Sequence, residues 1–144
     1  MSENKSQKCL KQALKDTFEK FGFIYLEESN DAELQPVLYF HLEVQFTLAK
    51  QQKMILFIPK IIIAQMLENL MLENDETKMS DFAQELANTV MGHFLAIFLP
   101  KKDFILNGIY INETDNLNFN HIEEHKTICK LYYDNVLIQA VADI

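Results

Sequence analysis

Ser80-Asp81-Phe82-Ala83-Gln84-Glu85-Leu86-Ala87-Asn88-Thr89-Val90-Met91-Gly92-His93-Phe94-Leu95-Ala96-Ile97-Phe98-Leu99-Pro100 is the stretch around which the rest of the chain is arranged. It predicts one long amphipathic helix. Ser80 or Asp81 can accept hydrogen bonds from the first free backbone N–H groups, and Pro100, which has no N–H to donate, closes the segment. At about 100° per residue, Phe82, Leu86, Val90, Phe94, Ile97 and Phe98 share a broad apolar arc with Ala83 and Ala87 between them. That arc faces a core. Asp81, Glu85, Asn88 and Gly92 follow one another at helical spacing along the opposite side, which makes this stripe the candidate working surface.

On either side of this helix the periodicity changes. Ser6 to Phe21 predicts a first helix, with Leu10, Leu14, Phe18 and Phe21 at helical spacing and Gly22 as its C-terminal stop. Phe23 to Glu27 has the apolar character of a short strand, and Ser29-Asn30-Asp31 is a turn signal. From Val37 to Leu48 apolar Phe40, Leu42, Val44, Phe46 and Leu48 alternate with Tyr39, His41, Glu43, Gln45 and Thr47, the pattern of a strand with one face on the core and one near water. Met54 to Ile58 is a continuous apolar run ended by Pro59, so a hairpin is expected. Lys60 to Leu72 predicts a second helix, with Ile62, Ile63, Met66, Leu67, Leu70 and Met71 at its spacing, and the acidic turn Glu73-Asn74-Asp75-Glu76 separates it from the central one.

Beyond Pro100, Phe104 to Ile111 is a predicted strand and Glu113 to Lys126 a polar loop. Ile128 to Tyr133 and Val136 to Val141 are strands joined by Asp134-Asn135, a pair that tolerates the positive φ of a tight turn. This order gives an α+β fold, helices packed on a largely antiparallel sheet. Each half runs from helix into strands, which hints at a duplication, but no residue-level repeat accompanies it.

Composition bounds the function. With 144 residues, 49% of them hydrophobic, the chain is expected to form a single domain, 1–144. A net charge of −8 disfavours nucleic-acid backbones and anionic bilayers, which would repel it. A partner with a basic rim suits it better. No apolar run approaches the roughly 20 residues of a membrane span, and the first residues lack the apolar core of a signal peptide, so a cytoplasmic location is expected. Cys9 and Cys129 have no pairing pattern and read as reduced structural thiols.

His121-Ile122-Glu123-Glu124-His125 has the letters of a zinc-peptidase motif, H-x-x-E-H. It follows a polar, Asn-rich run and leads straight into a strand, so the helix that would set both histidines on one face is missing, and a solvated loop is the reading. His93 lies on the flank of the central helix, as an edge residue with its polar tip in water. No phosphate-binding glycine loop, serine elbow or paired cysteine nucleophile occurs in the sequence.

The stripe itself is more specific. Asp81-Phe-Ala-Gln-Glu85-Leu-Ala-Asn88, with Gly92 one turn later, resembles the D-x-x-x-E-x-x-N signature of the CheC/CheX/FliY family of response-regulator phosphatases. The order of elements is similar to a CheX-type domain, and the absence of E-x-x-N from the first helix favours the CheX branch over CheC, which usually carries two copies of the motif. The resemblance implies a CheC-like fold and hydrolysis of the aspartyl phosphate on a CheY-like response regulator. It implies that Glu85 engages the receiver's lysine and that Asn88 orients the attacking water. It implies no cofactor of the protein's own, Mg²⁺ on the partner receiver, and a homodimer. Gly92 would let the receiver approach closely, and Asp81 reads as a helix cap beside the partner-binding surface. Two other readings stand beside this one: a non-catalytic CheX-like adaptor that binds a receiver or another signalling partner, and a relative of flagellar-switch proteins that acts by assembly. Retention of both Glu85 and Asn88 favours the phosphatase.

Overall fold

The alternation from Tyr39 onward folds as expected. In the computed structural model, which describes residues 3–115 and 127–144, Phe40, Leu42, Val44 and Phe46 are buried along one face of strand β1 (Tyr39–Thr47). Strand β2 (Gln51–Pro59) returns antiparallel beside it, with Leu42 opposite Leu56. Pro59 ends the strand and helix α2 (Lys60–Asn69) begins at once. Helix α1 (Lys5–Gly22) precedes this unit, and helix α3 (Glu76–Phe98) follows it. Strand β3 (Ile105–Thr114) then pairs with the free side of β1. Strands β4 (Thr127–Tyr133) and β5 (Val136–Ala142) form a second hairpin, and β5 lies beside β2. Among the described residues the sheet has five strands in the order β3-β1-β2-β5-β4, every neighbouring pair antiparallel.

The helices pack on one face of this sheet, α1 reaching β4 while α3 covers β1 and β3. Their apolar stripes meet. Leu10, Ala13, Leu14 and Phe18 of α1 and Ala83, Ala87, Val90 and Phe94 of α3 are all fully buried, and the alanines let the helix backbones approach. The opposite sheet face is less watery than alternation alone predicts. Tyr39, Phe57 and Val141 form a small buried cluster there. His41 stacks on Phe57 at 4.9 Å, and its Nε2 and both amide atoms of fully buried Gln139 have no hydrogen-bond partner among the described residues. Burial pushes the His41 imidazole below its usual pKa, against the opposing pull of Glu43.

Helix ends differ from the sequence expectation in instructive ways. Asn4 caps α1 through a reciprocal pair with Gln7, the Asn4 side chain accepting from the Gln7 N–H at 2.8 Å and the Gln7 side chain accepting from the Asn4 N–H at 3.1 Å. At the other end Gly22 is the last helical residue rather than the left-handed stop. Phe23 takes that conformation, with φ 56°. Gly22 is required for a different reason: a Cβ there would lie 2.3 Å from Cγ and 2.8 Å from Cβ of Met66 on α2. Asn69 of α2 also donates to the Gly22 carbonyl at 2.8 Å, so α2 holds the end of α1 from two sides.

Helix α2 stops at Asn69, three residues before Leu72, because Met71 adopts φ 59°. The Leu72 N–H then donates to the Leu67 carbonyl at 2.8 Å and the Met71 N–H to Glu68 at 2.9 Å, a Schellman closure that leaves Met71 in solvent instead of on the apolar face. Phe23–Glu27 forms no strand of its own. A single antiparallel bridge joins Glu27 to Tyr132. Strand β3 runs on to Thr114, beyond the expected loop boundary. Asp134 and Asn135 both have positive φ in the β4–β5 turn, which the tight hairpin requires and their residue types tolerate. The histidines of the H-x-x-E-H letters and most of the expected polar loop lie outside the described residues.

Candidate functional site: the exposed stripe of helix α3

Asp75 rather than Ser80 or Asp81 sets the start of α3. Its side chain accepts from the Lys78 N–H at 2.9 Å, and the helix begins with Glu76 inside the acidic segment that reads as a separating turn. Asp81 is therefore in the second turn and is no cap. The longer helix keeps the predicted phase. Met79, Ala83, Leu86, Ala87, Val90, Met91, Phe94 and Leu95 are buried, while Asp81, Glu85 and Asn88 are exposed on the other side. Phe82, Ile97 and Phe98 lie at the edges of the arc, half-buried.

Glu85 and Asn88, one turn apart, present a carboxylate and an amide to the same side, with Cβ atoms about 5–6 Å apart by helix geometry. Neither side chain, nor that of Asp81, makes a hydrogen bond or ion pair among the described residues. The turn beneath them is tied down instead: the Thr89 hydroxyl donates to the Glu85 carbonyl at 2.9 Å, and the Gln84 amide donates to Ser80 Oγ at 3.2 Å. A firm backbone with free polar tips results. Gly92 continues the line toward α1, and nothing lies within 4 Å of where its Cβ would be.

Beside Gly92 the stripe opens into a cleft of about 940 Å³ between α3 and the end of α1, with Thr89, Gly92 and His93 on one wall and Phe21, Phe23 and Tyr25 on the other. His93 is not simply an edge residue in water. Its Nε2 lies 3.0 Å from Oδ2 of Asp16 on α1, and this contact, opposed by burial, holds the Asp16 carboxyl below its usual pKa. Phe21, at helical spacing from Leu14 and Phe18, is 43% exposed whereas they are buried. The aromatic wall escapes sequence reasoning because Ile24 and Leu26, which alternate with Phe23 and Tyr25, are equally apolar. Periodicity then gives no sign of which side faces water.

The site has no strong nucleophile of its own. Cys9 and Cys129 are buried, and burial pushes the Cys129 thiol up to about 12. Among the described residues no group of three His, Cys, Asp or Glu side chains is placed to hold a metal ion, and no helix is long and apolar enough to cross a membrane. What the stripe can do is bind. A carboxylate accepts from a cation, and an amide, with both donor and acceptor, fixes a water molecule.

No protein-family model and no curated protein sequence matches the chain. Solved structures do. The chemotaxis protein CheX of Vibrio vulnificus superposes with a TM-score of 0.73 at 12% identity, over 99% of this chain and 97% of that one. A CheC-like superfamily protein from Shewanella sp. PV-4 gives 0.72 at 13% identity, over 97% of each chain. A chain from the CheX–CheY–BeF3–Mg²⁺ complex of Borrelia burgdorferi gives 0.58 at 10% identity, over 94% of each. Element order, the antiparallel sheet and these superpositions agree along almost the whole chain: its fold is the CheX-like, CheC-like α+β fold.

Proposed function

We propose that this protein is a CheX-like phosphatase that hydrolyses the aspartyl phosphate of a CheY-like response regulator. The observation that carries the reading is the pair Glu85 and Asn88, exposed, without a partner among the described residues and on one side of a well-anchored helix in a CheX-like fold. An acyl phosphate is already reactive, so a protein can speed its hydrolysis by positioning water without supplying a nucleophile. In this scheme the Asn88 amide holds a water in line with the phosphorus–oxygen bond to the receiver's aspartate. The water oxygen bonds to phosphorus, the bond to the aspartyl oxygen breaks, and inorganic phosphate and a free carboxylate leave.

A neutral amide suits that place because it does not repel the phosphoryl oxygens. Glu85, one turn away, engages the receiver's lysine and fixes the register of docking. Asp81 adds negative charge to the same partner-binding surface, and Gly92 leaves room for the receiver's backbone. The protein brings no cofactor, and Mg²⁺ belongs to the receiver. The CheX of Borrelia burgdorferi forms a complex with CheY, which supports a partner of that kind here. The reading includes a single CheX-like domain over 1–144, a cytoplasmic location and a homodimer. Strand β3, at the sheet edge with Ile105 and Tyr110 exposed, supports a second copy as a pairing partner.

The test is the decay of aspartyl phosphate on isolated receiver domains, with and without the protein. Asn88→Ala is expected to lower the acceleration on the order of 10²-fold, and Glu85→Ala to abolish it at low protein concentration. Both variants should unfold within about 0.5 kcal/mol of the parent, as surface substitutions do. Unchanged decay on every receiver, with binding still detectable, would replace the phosphatase with the adaptor.

A further inference from the structure

We infer that the cleft between α1 and α3 is a second part of the docking surface, taking an apolar element of the receiver domain that is flanked by basic side chains. The inference rests on the phosphatase reading and adds to it the part of the protein that selects the partner. Continuity is the first argument. Thr89 directly follows Asn88, Gly92 lies one turn beyond it, and both line the cleft, so a body seated over Asn88 meets this wall next.

Phe21, Phe23 and Tyr25 are 43%, 55% and 60% exposed within five residues, an apolar surface that none of the described residues covers. Phe23 sharpens the point. It holds the left-handed conformation, φ 56° and ψ 35°, at a position that favours glycine or asparagine. A bulky residue in that conformation, with more than half its surface in water, recovers little by packing within this chain. A contact made on docking accounts for both the strain and the exposed ring.

Charge then selects the partner's character. The Asp16 carboxylate is already matched by His93, and Lys20 also lines the cleft. Glu19, Asp81 and Glu85 have carboxylates without an ion-pair partner among the described residues, in a chain of net charge −8. Asp16 and Glu19 thus stand at the aromatic wall with Lys20 and His93, and the exposed stripe that leads to the cleft is acidic through Glu85 and Asp81. Lysine or arginine beside an apolar ridge complements both, through charge and through the faces of the rings.

Two variants test this, Phe23→Gly and Phe23→Gly with Tyr25→Ser, titrated against phosphorylated receiver while both decay rate and direct binding are followed. The double variant is expected to raise the half-saturating concentration about tenfold or more, as truncated aromatic anchors do, with the rate at saturation unchanged within about twofold. Phe23→Gly alone should not lower the thermal midpoint, because glycine relieves the left-handed backbone. An unchanged half-saturating concentration, in the face of normal acceleration by the parent, overturns the cleft and leaves Glu85 and Asn88 standing. Loss confined to the saturated rate overturns it as well. If the parent binds the receiver without accelerating decay, the catalytic reading fails and the binding titration alone decides the cleft; if it binds no receiver, both fall.

Discussion

Helices α1 and α3 follow one amphipathic plan, yet their solvent sides are used in opposite ways. In the middle of α1 the polar groups close on one another. Lys11 pairs with Glu3 and Glu28, Lys15 reaches Glu28 at 3.1 Å, and Gln12 donates to Asp16 at 2.6 Å. On the exposed stripe of α3, Asp81, Glu85 and Asn88 make no such contact among the described residues. A face whose charges are already matched has little to offer a partner, since docking would first have to break those pairs. Free groups on a rigid helix lose only water. The contrast supports the stripe of α3, and not the paired middle of α1, as the surface that meets another protein.

The two helices also hold glycine for opposite reasons, and the largest expected effect on stability breaks that symmetry. Gly22→Ala on α1 places a methyl inside contact distance of Met66 Cβ and Cγ. Met66 is fully buried and cannot swing clear, so a loss of about 1–3 kcal/mol is expected from overpacking. Chemical denaturation measures it, and a loss below about 0.5 kcal/mol would show that α2 yields easily. Gly92→Ala on α3 should do the reverse. Its methyl meets open space, and alanine in a helix interior is favoured over glycine by about 0.5–1 kcal/mol. A more stable protein with weaker receiver binding would place Gly92 in the docking surface; a more stable protein with unaltered binding would remove it.

The smallest effect concerns the Asp16–His93 contact that joins the helices. The folded protein lowers the Asp16 pKa, so the contribution is present above the unfolded value and fades as pH falls through the folded one. The pair is about two-fifths exposed on each side, and solvent screening keeps its worth below about 0.5 kcal/mol. Asp16→Asn should therefore lower stability slightly near pH 6, and the difference from the parent should vanish as acid protonates the folded Asp16 carboxyl. A difference that persists in acid would assign the effect to packing instead.

Much of the fold is legible in the sequence because β1 buries one face on the core. Phe40, Leu42, Val44 and Phe46 can occupy that face in one register alone, and a slip of one residue would bury Glu43. Glu85 and Asn88 are legible for the same reason, since the apolar arc of α3 fixes which side faces water. The helix start is not. Asp75, Ser80 and Asp81 are all good caps, and what selects Asp75 is burial of Met79, a tertiary contact. The aromatic cleft is hidden for a similar reason: Phe21 has helical spacing from Phe18 and Leu14, and the close contact with α2 that ends α1 at Gly22 depends on distant residues.

That contact has a consequence for the natural history of the chain. Met66 and Gly22 share one small volume, and the backbone leaving Gly22 leads directly to Phe23 at the mouth of the cleft. Positions 22 and 66 should therefore covary among homologous sequences, alanine or serine at the first accompanying a shorter side chain at the second. Lineages that exchange the pair would reshape the mouth of the cleft without touching either Glu85 or Asn88, a route by which duplicated copies could diverge in the proposed partner choice while keeping the same exposed stripe.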